Sequence, residues 1–459
     1  MLKKDLTPFK KFFKEYTELR VQENRTTNIS LVNGDIMGNA TTVTSGISAR
    51  VNKNGNWGFA SNPVISDEAI EKIIISATQN ADFLGEKQSK GKIEFASRPH
   101  SSENEFYTKK ENIDQKAKID FIKKIDSYIV EKYSDLSSRT VIVSDLEMEK
   151  NTITSDGSNS YSMIPKAFVY VIINKTVNDE NSEIFKVFGD KGQFEDVFSD
   201  PKELFPGIDE AYGRLIDKTE GVFADAGMKN VILDAKLAGI LAHEAIGHTT
   251  EADLVQGGSV AGDYLNQEVA SPLISLVDFA HTYDGNTCPV PVYIDDEGVK
   301  AEDQVIIDKG ILKGYMHNKE TALYFKHELT GNARAFEFSD EPLVRMRNTA
   351  ILPGTSKLED MIASIDDGYY LIQSSNGQAD STSEFMFGIV IGYEIKNGKL
   401  GKAIKDTTIS GIAFDVLKSV TMVSDDMVWD CSGMCGKKQP IPVGMGGPAI
   451  KCKVNIGGK

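Results

Sequence analysis

The spacing of two histidines in one apolar segment constrains the local fold more than any other feature of the sequence. His243 and His248 lie five residues apart in the run His-Glu-Ala-Ile-Gly-His. Residues 231–253 have the pattern of one long helix, with Asp234 as its predicted N-cap. On an ideal α-helix a five-residue step turns through about 140°, so the two imidazoles would point apart. We therefore predict an irregular helix, produced either by a π-bulge or by loosening at Gly247.

The groups in this run are typical of a zinc hydrolase. Neutral imidazoles bind Zn²⁺, and a carboxylate such as Glu244 takes the proton from the water that the metal activates. The familiar spacing is His-Glu-x-x-His, and this sequence has one extra residue. Burying Glu244 in an apolar helix without a metal or cation would cost free energy, which favours a site. The alternative interpretation is a pair of histidines with ordinary hydrogen-bond partners.

A zinc hydrolase needs a third protein ligand and one open coordination position. Cys435 is the first choice, because it lies in the run Gly-Met-Cys-Gly-Lys, where small neighbours leave room for a metal. Cys431 and Cys452 are alternatives, and free thiols are the simplest explanation for all of them. On an ideal helix Glu251 falls near Glu244 and His248, and we expect it to support a ligand by hydrogen bonding instead of binding the metal.

Composition narrows the classes of function and location. The chain has 51 Lys and Arg against 67 Asp and Glu, a formal charge of −16, which disfavours binding to a nucleic-acid backbone. No run of about 18 apolar residues predicts a membrane span, and the N-terminal residues lack the apolar centre of a signal peptide. Four cysteines are too few for a disulfide framework in 459 residues. We therefore expect a cytoplasmic protein that binds neither nucleic acid nor membrane.

The order of predicted elements indicates an α+β protein of two domains. Residues 1–220 are predicted to form an N-terminal α+β domain, with Asn-Gly hairpin turns at 33–34 and 54–55. Amphipathic helices are predicted at 68–84 and 117–133. Residues 221–459 are predicted to form a β-rich C-terminal domain that carries the long metal-binding helix and the Cys435 loop.

Two charged motifs are given structural interpretations. The acidic residues 295–297 precede Gly298, which is typical of a solvated turn and much less so of a second metal site. Arg345 and Arg347 alternate on a predicted strand and share a face, where a surface or interface role is expected. The histidines outside the helix lack the spacing of ligands.

Several of these motifs together resemble the TldD/PmbA metallopeptidases. The resemblance rests on HEAIGHTTEAD from 243, on CGKKQPIPVGMGGP from 435, and on the closing VNIGG. Further similar stretches lie at 46–61, 294–298, 329–335 and 342–349, so the match spans nearly the whole chain. Lys438 departs from the family pattern, in which glycine is more common, and this puts the local turn in question.

The resemblance implies a function and a set of partners. It implies a zinc peptidase in which His243, His248 and Cys435 bind Zn²⁺ and Glu244 is the catalytic carboxylate. It also implies peptide substrates and an active site inside a cavity enclosed by a dimer, either a homodimer or a heterodimer with a PmbA/TldE-like subunit. The alternatives are a non-catalytic interaction or modulator protein with a structural zinc site, and a zinc amidohydrolase acting on small amides.

Overall fold

The N-terminal half is built on one large, mainly antiparallel sheet. A computed structural model describes residues 2–87 and 91–457, except for the side chain of Asn376. Both Asn-Gly turns have positive φ at both residues, as the tightest hairpin turns require. The strands, in spatial order, are Asn56–Asn62, Asp35–Lys53, Tyr16–Val32, Ser138–Thr154, Asn159–Val177 and Ser101–Glu105, with Glu180–Lys191 also paired to Asn159–Val177.

Helices cover the apolar surfaces of this sheet. The two predicted amphipathic helices are confirmed, and each is slightly longer or shifted by a few residues at its ends. Asp114 caps the second by accepting a hydrogen bond from the backbone N–H of Ala117. The helical elements of this half are Thr7–Phe12, Asp67–Lys87, Gln115–Lys132, Phe194–Val197, Pro201–Leu204 and Phe205–Thr219.

The second half contains a sheet that closes on itself. The sheet closes where Asp367–Ala379 pairs with Glu384–Lys396, the two longest strands of this half. This pairing makes a ring of five strands, and Lys399–Ile404 is attached outside the ring. The ring encloses much of the largest apolar core. In order around the ring the strands are Asp367–Ala379, Gly227–Leu233, Ile450–Ile456, Thr407–Ile412 and Glu384–Lys396. Met422–Val423 pairs with Ile450–Ile456.

A second sheet of short strands lies beside the ring. Its central strands are buried. Gly446 on one of these strands lies close to the helix Ala235–Leu241: a Cβ added to Gly239 of that helix would stand 3.1 Å from the backbone nitrogen of Gly446. The small residues therefore let helix and sheet pack backbone to backbone. In spatial order the strands are Ile311–Leu312, Gln304–Asp308, Leu276–Phe279, Asn348–Ile351, Gly444–Gly447 and Val428–Asp430.

Short elements complete this half. Three two-residue strand pairs are Thr282–Tyr283 with Asn286–Thr287, Ala333–Arg334 with Leu343–Val344, and Met434–Cys435 with Ile441–Pro442. The helical elements are Ala235–Leu241, Ala242–Gly247, His248–Thr250, Ala252–Gln256, Val260–Asp263, Lys319–Phe325, Leu358–Ala363 and Ala413–Lys418. None of the helices within the described ranges combines the length and apolar character needed to cross a bilayer.

The α+β class is confirmed, while two details differ from expectation. Residues 231–233 are the end of a strand, not the start of the long helix, because the ring needs them as its partner for Asp367–Ala379. The apolar core of the N-terminal sheet also includes Ile372 and Ile391, so packing crosses the expected boundary at residue 220. The boundary itself stays a prediction.

Candidate metal centre

The irregular helix predicted from the histidine spacing is confirmed. Asp234 caps it through a 2.8 Å hydrogen bond from the backbone N–H of Leu237, and a regular α-helix runs from Ala235 to Leu241. Residues 242–247 then form a π-helical segment, followed by a 3₁₀ turn at 248–250. Because π-helical bonding joins residues five apart, it brings His243 and His248 onto one side, with their ring centroids 5.3 Å apart.

Gly247 is required for space, not for conformational freedom. Its φ of −56° and ψ of −52° are ordinary helical values, so the helix does not loosen there. A Cβ at this position would stand 1.9 Å from the Sδ atom of Met346. The sequence-based alternative of loosening at Gly247 is therefore wrong, and the π-segment alone aligns the histidines.

Cys435 meets the two histidines across the fold. It lies on a two-residue strand paired with Ile441–Pro442, and its Sγ is 3.4 Å from His248 Nε2. The ligand atoms of Cys435, His243 and His248 all lie within 4.8 Å of one another. In the described residues neither Cys431 nor Cys452 joins a group of this kind, and Cys452 is buried in the ring opposite Val231.

The donors present fit a zinc ion. Both ring nitrogens of His243 are buried and have no hydrogen-bond partner among the described residues. A buried imidazole without a partner costs free energy, and a bound metal would remove that cost. Two imidazoles and one thiolate are also a donor set that zinc prefers, with a position left for water or substrate.

A chain of charged groups orients His248. Its Nδ1 contacts Glu251 Oε2 at 2.9 Å, which leaves Nε2 directed at Cys435. Glu251 is fully buried, and its Oε2 lies 3.2 Å from Lys437 Nζ. Lys437 in turn binds both carboxylate oxygens of Asp253, at 2.7 and 2.8 Å. A carboxylate on the far nitrogen of a histidine fixes the tautomer and orientation that a ligand requires.

The electrostatics favour a thiolate at this position. Burial favours the neutral Cys435 thiol, but the imidazoles of His243 and His248 lower its pKa to about 3. Burial likewise disfavours an imidazolium, yet contacts with Cys435 and Glu251 raise the pKa of His248 to about 10. The three remaining cysteines behave in the opposite way, since burial raises each of their pKa values to about 12.

Glu244 stands at the edge of this group. Its Oε2 lies 3.7 Å from His248 Nε2, and a quarter of its side chain is exposed, whereas His243 and Cys435 are almost completely buried. The carboxylate therefore faces the accessible side of the site. This is the position from which it could exchange a proton with water.

The two arginines expected at a surface or interface are both fully buried, so that expectation is wrong. Arg345 donates to the carbonyl oxygens of Cys435, Lys437 and Gln439 at 2.8 to 2.9 Å. Arg347 is paired with Asp278 at 2.8 Å. Both side chains point inward: Arg345 contacts the loop that carries Cys435, whereas Arg347 contacts Asp278, Thr330 and Glu302.

The acidic run before Gly298 is also buried, not solvated. Asp295 accepts hydrogen bonds from backbone N–H groups, and Asp296 pairs with Lys150 at 2.7 Å. Glu297 pairs with Arg50 of the N-terminal sheet at 2.6 Å. The run therefore ties the two halves of the chain together, and a solvated turn is the wrong interpretation.

Some site residues had no clear signal in the sequence. Lys437 and Arg345 became visible only through their contacts, although Lys437 lies two residues after Cys435. Lys438 has a φ of +57°, a left-handed value that glycine adopts without strain. His317 is buried with an unpartnered Nε2 and stacks on His327 outside the group of three ligand atoms.

The sequence matches two models of one protein family. Residues 226–458 match the model of the PmbA/TldA metallopeptidase C-terminal domain, and residues 17–81 match that of PmbA/TldA metallopeptidase domain 1. The chain belongs to the PmbA/TldD metallopeptidase family. It is 33% identical to a metalloprotease of Methanocaldococcus jannaschii, with 95% of this chain and 96% of that protein covered. It is 30% identical to a zinc metalloprotease TldD homolog of Saccharolobus solfataricus, with 91% of this chain and 90% of that protein covered.

Solved structures of other proteins share the fold. TldE from Thermococcus kodakarensis superposes with a TM-score of 0.76 at 20% identity, and 99% of each chain is covered. A Thermotoga maritima protein described as a putative modulator of a DNA gyrase superposes with a TM-score of 0.77 at 20% identity, and 96% of each chain is covered. At these identities the likeness establishes the fold alone.

Proposed function

We propose that this protein is a zinc-dependent peptidase that hydrolyses small or unfolded peptides. His243, His248 and Cys435 would hold the metal, and Glu244 would be the catalytic carboxylate. The observation that carries the proposal is the convergence of three ligand atoms within 4.8 Å of one another, beside a partly exposed carboxylate. The naming of curated relatives as metalloproteases supports it.

Each residue of the site would have a separate role in the reaction. Zinc held in this site would polarise the substrate carbonyl and lower the pKa of water. Glu244 would accept a proton from the attacking water and return it to the leaving amine. Glu251 would keep His248 in one orientation throughout, since its Oε2 lies 2.9 Å from Nδ1. The buried walls around Cys435 and His243 would exclude bulk water from all but the Glu244 side.

The deciding experiment separates metal binding from catalysis. Wild type and Glu244→Gln are loaded with zinc, and metal content and cleavage of a fluorogenic peptide are measured on the same samples. We expect stoichiometric zinc in both proteins and a loss of about 100-fold or more in kcat for the variant, because proton transfer by a side chain contributes rate factors of that order. Glu131→Gln, an exposed helical glutamate, is the matched control.

The ligand set is tested by a second pair of variants. Cys435→Ser should lose stoichiometric zinc, while Cys431→Ser, in the same segment, should retain it. Cleavage by the wild type that survives Glu244→Gln would contradict the assigned role of that residue. Full zinc occupancy in Cys435→Ser would contradict the ligand set.

The non-catalytic alternative predicts a different result. A purely structural zinc site would bind metal in the wild type without peptide cleavage, and Glu244→Gln would then change nothing measurable. Cleavage confined to small amides, with no peptide hydrolysed, would favour the amidohydrolase alternative. The partly exposed carboxylate beside the ligand atoms favours the peptidase, because a structural site has no use for it.

We also propose that the protein acts as a dimer in the cytoplasm. The fold shared with TldE supports either self-association or pairing with a TldE-like subunit. A reducing compartment would keep Cys435 free of disulfide bonds. Light scattering of the purified chain, with and without a TldE-like protein from the same source, would distinguish monomer, homodimer and heterodimer.

A further inference from the structure

A cleft lies between the N-terminal sheet and the second half of the chain. The empty space in and in front of it totals about 750 Å³ and includes open solvent. Much of its wall is apolar, including Met148, Ile164, Val292, Tyr293 and Pro442. A mostly apolar cleft with a few convergent polar groups is the usual form of a small-ligand site.

Two buried cations in this cleft lack a carboxylate partner. Lys166 is 5% exposed and donates to the carbonyl oxygen of Cys431 at 2.7 Å, and Arg334 is 6% exposed and donates to the carbonyl oxygens of Met346 and Pro442. Among the described residues no carboxylate lies within salt-bridge distance of either cation. An ammonium group has three hydrogens to donate and a guanidinium five, so both retain donors for a ligand.

Both acidic residues of the cleft already have ion-pair or hydrogen-bond partners. Asp296 pairs with Lys150 and also accepts from the backbone N–H of Ala335. Asp295 accepts three backbone hydrogen bonds, and burial raises its pKa well above the ordinary range. Burial lowers the pKa of Lys166 to about 8 and that of Arg334 to about 10, which is the response of cations that lack an anion.

The cleft adjoins the segment that carries Cys435. This segment comprises residues 431–442. Lys166 donates a hydrogen bond to the carbonyl oxygen of Cys431 at its start, and Arg334 donates one to the carbonyl oxygen of Pro442 at its end. Pro442 is the strand partner of Met434, the residue before Cys435. A ligand anchored by the two cations would therefore lie against residues 431–442, the segment that carries Cys435.

We propose that this cleft binds the C-terminal residue of a peptide, with its carboxylate at Lys166 and Arg334 and its side chain against the apolar wall. The inference rests on the proposed peptidase function, and it adds a preference for peptides with a free C-terminus. Both features of the occupant follow from the cleft, because an apolar wall beside unpaired cations complements a group that is apolar and anionic.

The test measures binding without turnover. Full-length, zinc-loaded Glu244→Gln is titrated with a labelled pentapeptide ending in leucine, as the free acid and as the C-terminal amide, and anisotropy gives the two Kd values. We expect the acid to bind at least about 10-fold more tightly, the scale of one or two charge-assisted hydrogen bonds. Equal affinity of acid and amide would overturn the proposal without any substitution in the cleft.

Variants then locate the effect. In the Glu244→Gln background, Lys166→Met should reduce the ratio of the amide Kd to the acid Kd to below about 3-fold, whereas Lys166→Arg should preserve that ratio. Lys175→Met, on the same strand but paired with Asp135 outside the cleft, is the matched control and should leave the preference unchanged. A preference that persists in folded Lys166→Met would overturn the assignment.

The outcomes also separate this inference from the proposed function. If acid and amide bind equally but both are cleaved by the wild type, the cleft assignment fails and the peptidase stands. If the preference is found and lost with Lys166→Met while no peptide is cleaved, the cleft is a carboxylate site and the peptidase proposal fails.

Discussion

The guanidinium of Arg345 donates to the backbone carbonyl oxygen of Cys435 at 2.8 Å, from a fully buried position without a carboxylate partner among the described residues. Its other terminal nitrogen holds the carbonyls of Lys437 and Gln439. One side chain thus fixes three carbonyls of the loop that presents the thiolate. Since the three bonds are made by a planar fork, the geometry of the loop depends on arginine and not simply on positive charge.

Replacement of Arg345 should weaken metal binding even though the residue touches no metal. We expect Arg345→Lys to raise the Kd for zinc by about 10-fold or more, the usual cost of removing a group that supports a ligand. Competition with a chelator gives the Kd, and the thiolate-to-metal band of the Cd²⁺ form reports on Cys435. Arg25→Gln, at an exposed position, is the control. An unchanged Kd in a folded variant would contradict this role.

Gly247→Ala should destabilise the protein through a steric conflict with Met346. The added methyl group would meet Met346 Sδ, and overpacking of this kind costs about 1–3 kcal/mol. Urea unfolding measures the loss. In the background of Met346→Ala, which removes the conflicting atoms, the same substitution should cost much less. Equal costs in both backgrounds would show that backbone conformation, and not contact, requires the glycine.

The metal-free protein should carry a thiolate at neutral pH. Because the pKa of Cys435 is lowered to about 3, its ionised form persists far below the usual range of thiols. The ultraviolet thiolate absorbance of metal-free wild type minus that of Cys435→Ser should stay constant from about pH 8 to pH 5. A difference that disappears below about pH 8 would indicate an ordinary thiol. The same difference for Cys452→Ser should be absent throughout, because the pKa of that thiol is about 12.

The N-cap carboxyl of the metal-binding helix should make stability depend on pH. Burial raises the pKa of Asp234 to about 7, although its bond from the Leu237 N–H opposes the shift. A raised folded-state pKa means that ionisation costs stability, and the cost grows from the unfolded pKa of about 4 until about pH 7. The free energy of unfolding of Asp234→Asn relative to wild type should therefore rise across this window. A difference that stays constant from about pH 4 to pH 7 would contradict the raised pKa of Asp234.

The chemistry of the centre could be predicted because it is local. The five-residue spacing of His243 and His248 demands an irregular helix whatever the rest of the chain does, and the N-cap at Asp234 and the Asn-Gly turns follow equally from short-range preferences. Cys435 was the first choice among the thiols because of its small neighbours, and Cys431 and Cys452 stayed open as alternatives until the family resemblance was considered. The division of the chain at residue 220 also stays a prediction.

The errors have a shared physical cause. Arg345, Arg347 and the acidic residues 295–297 are polar, and local patterns assign polar residues to solvent. In the folded protein the arginines, Asp296 and Glu297 are satisfied by backbone carbonyls or opposite charges from distant segments, and Asp295 by backbone N–H groups. Residues 231–233 are helical by pattern but extended because the closed sheet pairs with them on both sides.

The sequence by itself determined which groups are available to a metal and that the helix bearing two of them must be irregular, because those properties depend on residue type and on spacing within one turn. Only the tertiary structure decided which thiol meets the imidazoles, which cations of the cleft lack a carboxylate partner, and that Gly247 makes room for Met346. These outcomes depend on contacts between segments separated by about 100 residues or more, and such contacts are set by the packing of the whole core.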